Sequence, residues 1–195
     1  PYSPVKFKEL LVSPNEMKNK FVTLINNEIK NKKAGKPAYI KIKINHITAP
    51  VMVNKLYEAS AAGVDIDLVV RGNCSLVTGI PGVSSNIRIH GIIDRYLEHS
   101  RIFVFAAGGE EKVFIGSADW MPRNLDNRVE VITPVYDPAI KEEMKRVVEY
   151  GLADTMQGRI VDGRGVNEFW PLADGTSFRS QEALNVYYLA VNQIE

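Results

Sequence analysis

Residues 39–70 read YIKIKINHITAPVMVNKLYEASAAGVDIDLVV, and three elements follow from that run. Tyr39 to Ile44 alternates apolar side chains with Lys41 and Lys43, the period-two pattern of a strand with one buried face. Thr48, with Pro50 close behind, can open a helix. Val53, Leu56, Tyr57 and Ala61 then recur at helical spacing, and Gly63 ends it. Ile66 to Val70 is an almost unbroken apolar run, which marks a central strand covered on both faces. Strand, helix and strand with short joints predict a right-handed βαβ unit. The fold class expected from it is α/β, a mixed and mainly parallel sheet flanked by helices.

Upstream, Ser13-Pro14-Asn15-Glu16 reads as a capping box with Ser13 as N-cap. Met17, Phe21, Leu24, Ile25 and Ile29 follow at helical spacing; Lys30 to Lys33 load the last turn with positive charge, and Gly35 stops the helix. Downstream, residues 72–86 are rich in Gly, Ser and Pro and read as a functional loop. Ile87, Ile89, Ile92 and Ile93 begin another ordered segment. Ile102–Phe105 and Val113–Ile115 are predicted to pair across a turn at 106–111, where Gly108-Gly109 make the backbone permissive. Val129–Val135 reads as a strand broken at Pro134. Asp137-Pro138 starts an amphipathic helix with Ile140, Met144, Val147 and Val148 on one face. Residues 158–174 read as irregular, and 180–194 as a closing helix with Ala183, Val186, Tyr187 and Ala190 inward. Without an internal repeat or a linker, residues 1–195 are read as a single domain, with 1–15 as a lead-in.

The apolar fraction of 45% and charged fraction of 24% are those of an ordinary globular chain. No apolar run is long enough to span a bilayer. The single cysteine, Cys74, can form neither an internal disulfide nor a metal cluster alone, which fits a reducing cytoplasm. It reads as a small buried residue at a strand end. A net charge of +1 averages over local patches, so cations matter only where they cluster; nucleic acid is not an expected partner. The chain opens at Pro1 without an initiator Met, and the expectation is a domain cut from a longer protein.

Three segments depart from what a core needs. Arg71-Gly72-Asn73 follows the central strand at its carboxyl end, where open α/β sheets bind ligands. The Arg fork suits phosphate, and the Gly lets a ligand approach the backbone; the plainer alternative is a solvated strand-end Arg. Arg95-Tyr96-Leu97-Glu98-His99-Ser100-Arg101 places His99 two residues before Arg101, so that on an extended strand both side chains share a face. An imidazole beside a fixed cation can act as phosphate ligand, general acid or nucleophile toward phosphorus, although a lone His is more often structural. Gly116-Ser117-Ala118-Asp119-Trp120, followed by Arg123-Asn124, Asn127-Arg128 and Glu130, suggests a turn built to approach something; otherwise it is a capped loop in which Asp119 pairs with an Arg.

Taken together, His-x-Arg, then Gly-Ser-Ala-Asp beginning seventeen residues after the His, then Asn and Glu, resembles the phospholipase D superfamily signature. That signature has Lys where Arg101 stands and Asn where Asp119 stands. The run from Asp67 to Thr133, with DLVVRGNCSL, NIRIHGIIDRYLEHSRIFVF and GSADWMPRNLDNRVEV, looks like the C-terminal domain of the polyphosphate kinase family. PYSPVKFKELLVSP and NKLYEASAAGV fit the same family, and the resemblance weakens after about Asp162.

The resemblance implies a phospholipase-D-like domain of a kinase that moves the terminal phosphate of ATP reversibly onto inorganic polyphosphate, with Mg²⁺ as cofactor. It implies that a His in a preceding domain of the same chain is phosphorylated. His99 would then be the second catalytic His, either as acid toward the departing ADP oxygen or as stabiliser of the phosphorylated His. Arg71 would contact nucleotide or chain phosphates. Arg88, Arg101, Lys112, Arg123 and Arg128 are candidates to line a path for the chain, with Arg123 and Arg101 beside the motifs. His46 and His90 fall outside any matching motif and receive no role. Neither Mg²⁺ ligands nor an adenine pocket has a recognisable signature. The full-length enzyme is expected to be a cytoplasmic homo-oligomer, with membrane association left open, and the isolated chain inactive. Two alternatives stay open: a phospholipase-D-like phosphodiesterase, and a polyphosphate-binding module without catalysis.

Overall fold

The computed structural model describes residues 6–171 and 175–191. Parts of the expected lead-in, of the irregular stretch 158–174 and of the closing helix to 194 lie outside them. In chain order the elements are β1 (Leu11–Ser13), α1 (Met17–Lys33), β2 (Tyr39–Ile44), α2 (Pro50–Ala61), β3 (Asp65–Val70), β4 (Ile87–Gly91), β5 (Ile102–Phe105), β6 (Lys112–Gly116), β7 (Glu130–Val135), α3 (Pro138–Ala153), β8 (Arg159–Ile160) and α4 (Ser180–Val191). The strands form one sheet in the order β1-β7-β6-β5-β2-β3-β4-β8.

The βαβ unit forms as its pattern dictates: β2 and β3 pair in parallel, Tyr39 opposite Asp65 through Ile44 opposite Val70, and β4 extends the parallel block. The sheet is mixed and helix-flanked, but not mainly parallel. β5 returns antiparallel to β2, β6 to β5, β7 to β6, β1 to β7 and β8 to β4. Tight turns such as that between β5 and β6 favour antiparallel neighbours, whereas parallel ones need a crossover.

Alternation along the strands sorts the core into two layers. Ile40, Ile42, Ile66, Leu68, Ile87, Ile89, Phe103 and Phe105 face α1 and α2, meeting Met17, Phe21, Ile25, Met52 and Leu56. Ile102, Val104, Val113 and Val135 face α3, where Val148 is fully buried. On that second face β3 and β4 carry Asp67 and Arg88 as a cross-strand ion pair, Nε to Oδ1 at 2.6 Å.

Several local signals lose to long-range pairing. Ser13 does not cap α1: it joins the sheet opposite Glu130, and its hydroxyl donates to the Asn124 carbonyl oxygen at 2.5 Å. α1 instead begins at Met17, and α2 at Pro50 with Ala49 rather than Thr48 as N-cap. β7 runs through Pro134, because β1 pairs only as far as Ile132 and the missing N–H falls on an open edge. Arg159–Ile160 form a short strand within the stretch read as irregular. In α4 the buried residues are Ser180 and Gln181, while Val186 is exposed, as is Ile140 in α3.

The Asp137 carboxylate caps α3, accepting from Ala139 N at 2.8 Å and Ile140 N at 3.0 Å. Asp137→Ala should therefore lower stability by about 1 kcal/mol in urea unfolding, with Asp137→Asn losing much less.

Candidate functional site

The carboxyl ends of β2, β3, β4 and β6 and the amino end of β5 meet at one edge of the sheet. Segments 45–49, 71–86, 92–101 and 117–129 leave from that edge. Backbone hydrogen bonds lock three of them side by side: Trp120 N donates to His46 O at 3.1 Å, Ile47 N to Asn73 O at 2.9 Å, and Thr48 N and Ala49 N to Trp120 O at 2.9 Å each.

Five side chains close a ring there. Asp119, 4% exposed, takes a bidentate ion pair from Arg101, Nε to Oδ1 at 3.2 Å and Nη2 to Oδ2 at 3.1 Å. Asp119 Oδ1 also accepts from Asn45 Nδ2 at 3.2 Å and from Asn45 N at 3.0 Å. Asn45 Oδ1 accepts from Arg71 Nε at 2.8 Å. Arg71 Nη2 reaches His99 Nδ1 at 3.2 Å, and Arg101 Nη1 donates to the His99 carbonyl oxygen at 2.8 Å. Each donor meets an acceptor, so the amide orientation of Asn45 is fixed on both sides.

The protonation state of His99 follows. Arginine has donors only, so Nδ1 must accept and the ring proton resides on Nε2. Partial burial, then the charges of Arg101 and Arg71, hold the imidazole below its ordinary range against the opposing pull of Asp119. His99 is therefore a neutral donor through Nε2 at pH 7, and it is exposed. For Asp119, burial would raise the carboxyl, but the Arg101 hydrogen bond and charge and the Asn45 bonds outweigh it and hold it below the usual carboxylate range.

Among the described residues the arginines in ion pairs are Arg88, Arg101 and Arg179. Arg71, half-buried and held by neutral partners, keeps its charge uncompensated. It borders a cavity of about 390 Å³ with His46, Gly72, Tyr96 and Glu98. The carboxylates on that cavity are spent: Asp94 on Arg179, and Glu98 on Lys43 and Gln181.

Arg71 and His99 are thus brought together, and Arg101 stands behind them with its fork committed. His99 and Arg101 do not lie on a strand, since β5 begins at Ile102; the ring rather than strand alternation sets their relation. Arg123 and Arg128 are exposed in the turn after β6. Lys112 starts β6 at the opposite end of the sheet, and Arg88 is held by Asp67. Ser117 and Asn124 (Nδ2 to Oε1, 2.6 Å) bind the buried Glu130 and brace the turn. Cys74 is half-buried, and burial pushes its thiol up, away from nucleophilic use.

Two site residues escape a reading of the sequence. Asn45 ends β2 without any motif around it; its partners are 26 and 74 positions away. His46 accepts from Asn73 N at 2.9 Å and stands against Gly72. A Cβ on Gly72 would sit 2.4 Å from His46 Cε1, so a side chain here would displace the imidazole behind it. His90 is a core residue, stacked on Trp170 at 4.0 Å between ring centres, with its pKa pushed down to about 4 by burial.

Residues 10–181 match the family described as Polyphosphate kinase C-terminal domain 2. The chain belongs to that family. It is 45% identical over 187 residues to a polyphosphate kinase of Vibrio parahaemolyticus, covering 96% of this chain and 27% of that one. The crystal structure of polyphosphate kinase from Porphyromonas gingivalis superposes on it with a TM-score of 0.94 and 41% identity, across 100% of this chain and 30% of that one. The chain thus spans less than a third of the length of these family members. Nuc from Salmonella typhimurium, a phospholipase D family member, matches with a TM-score of 0.54 and 18% identity over 78% of this chain and 96% of that one, which shows a shared fold. The two departures of this chain from the phospholipase D signature are one feature: Arg101 and Asp119 pair with each other.

The described residues hold no dedicated all-protein Mg²⁺ cage, a kind of site that Mg²⁺ seldom uses. No group of three His, Cys, Asp or Glu side chains could hold a metal ion there, and the carboxylates of Asp94, Glu98, Asp119 and Glu130 are each bound to a cation or to neutral donors. No described helix is long and apolar enough to cross a membrane.

Proposed function

We propose that this chain supplies the phosphate-binding half of a site for phosphoryl transfer between ATP and inorganic polyphosphate, within a longer polyphosphate kinase. The observation that carries the reading is the Arg71–His99 pair: an uncompensated guanidinium whose orientation is fixed by Asn45, touching a neutral imidazole. In net transfer the bond from the terminal phosphorus to the ADP oxygen breaks, and a bond to the terminal oxygen of the chain forms. Charge moves among phosphoryl oxygens, so catalysis needs fixed positive charge and aligned donors more than a nucleophile from every segment. Arg71 meets the first need, and His99 Nε2–H offers a donor at the same place. A neutral imidazole is a weak acid, which favours stabilisation of phosphoryl oxygens, including those of a phosphorylated His on a preceding domain, over proton delivery to ADP.

Family membership and the Arg71–His99 geometry support this reading over a phosphodiesterase, because the residue in the signature lysine position spends its fork on Asp119. Calorimetric titration of the chain with medium-length polyphosphate tests it. Saturable binding should weaken about tenfold or more in Arg71→Ala, the worth of a charge-assisted phosphate contact. It should weaken less in His99→Ala. Binding indifferent to both changes would place the phosphate site elsewhere.

A further inference from the structure

Arg71 separates two cavities. On its far side lies a second one, of about 330 Å³, bounded by Gly72, Gly91, Gln157, Arg159 and Asn167. It is formed where β8 and the segment leading to Asn167 fold back over the ends of β3 and β4. No carboxylate lines it. Its two cations are Arg71 and Arg159, and neither is in an ion pair among the described residues.

Arg159 is held in place by neutral contacts. Its guanidinium lies 3.3 Å from the centre of the Phe169 ring, and Nη1 donates to the Asn167 carbonyl oxygen at 3.1 Å. Asn167 adopts a left-handed backbone, φ +54°, a conformation Asn tolerates better than most residues. A half-buried guanidinium packed on a ring without an anion is prepared for one, since its fork retains free donors and has lost part of its rotamer freedom. The Gln157 side chain borders the same space with no hydrogen-bond partner among the described residues.

We infer that this second cavity is a polyphosphate subsite, in which Arg159 and Gln157 bind phosphate groups further along the chain whose end is held at Arg71 and His99. The inference rests on the reading of the Arg71–His99 site as a phosphate site and adds a direction to it. The bound chain passes Arg71 and runs beneath the 157–167 segment, toward β8 rather than toward the turn that carries Arg123. A short anion occupies only the Arg71 side, so dependence on chain length is the signature of the subsite.

The test compares inorganic triphosphate with medium-length polyphosphate by calorimetry on the chain, for the parent and for Arg159→Gln, Gln157→Ala, Arg71→Ala and Lys33→Gln. Lys33 is an exposed cation in the last turn of α1 and controls for loss of one charge. Arg159→Gln should weaken polyphosphate binding about tenfold and leave triphosphate binding unchanged. Gln157→Ala, which leaves the Phe169 contact intact, should act the same way more weakly. Equal effects of Arg159→Gln and Lys33→Gln, or equal losses for both ligands, would overturn the subsite. If Arg159→Gln and Gln157→Ala bind normally while Arg71→Ala does not, the subsite fails and the Arg71–His99 reading stands. If the parent chain binds neither ligand, or Arg71→Ala is also silent, both fail.

Discussion

Asp119→Ala should destabilise the domain by about 3–5 kcal/mol, the cost of stranding the charge of a buried pair. Arg101 is 10% exposed in its side chain and would lose the partner of both Nε and Nη2, while Asn45 N and Nδ2 would lose their acceptor. Urea unfolding followed by far-ultraviolet dichroism reads the loss directly. Asp119→Ala combined with Arg101→Met should recover part of it, because removing both charges avoids the uncompensated one. Little change from Asp119→Ala alone would show that the ring does not stabilise the fold.

The same pair sets a pH dependence. The Asp119 carboxyl is lower in the folded protein than the 3.8 it takes when unfolded. The unfolded chain therefore takes up its proton first as the medium is acidified. The stabilisation is complete above the unfolded value and is lost as pH falls through the lower folded one. Below about pH 4 the stability of Asp119→Ala should accordingly approach that of the parent.

The second large effect is expected at Trp120. This ring is wholly buried, 5.2 Å from Phe21 and 5.7 Å from Phe103 between centres. Its backbone carries the bonds that hold 46–49 against the turn after β6. Trp120→Ala should cost about 3–5 kcal/mol by cavity formation. It should also weaken phosphate binding indirectly, because Asn45 and Asp119 flank the segments that Trp120 joins. Trp120→Phe isolates the packing: indole Nε1 has no partner among the described residues, so that variant gives up ring volume but no hydrogen bond. A thermal midpoint for Trp120→Phe no higher than for Trp120→Ala would refute packing as the cause.

Trp120 also shows where reading the sequence reaches its limit. GSADW reads as a functional turn, yet its Asp is a structural anion and its Trp is core; of its side chains only Ser117 and Asp119 make polar contacts, and those go to the frame. Period-two and helical spacing made β2, α2, β3, α1 and the β5–β6 pair legible, because side-chain burial there depends on near neighbours. The strand order was not legible, nor was the fate of Ser13, because β7 lies more than a hundred positions from β1 and its pairing overrides a local cap. Arg71 and His99 could be singled out by residue type and by place at a strand end. Asn45 could not, since an amide at the end of a strand gains meaning only when Arg71 and Asp119 close around it.

The contact between Gly72 and His46 has an evolutionary consequence. A side chain at 72 is admissible only where the ring at 46 has moved or shrunk, because a Cβ there would lie 2.4 Å from His46 Cε1. The order of change is therefore fixed. A lineage that replaced His46 first would pass through an intermediate with a void beside Arg71, whereas one that replaced Gly72 first would push the imidazole off Asn73 and disturb the loop carrying Arg71. Across homologues, a residue other than Gly at 72 should therefore occur only where 46 is no longer His, while Gly72 can accompany either.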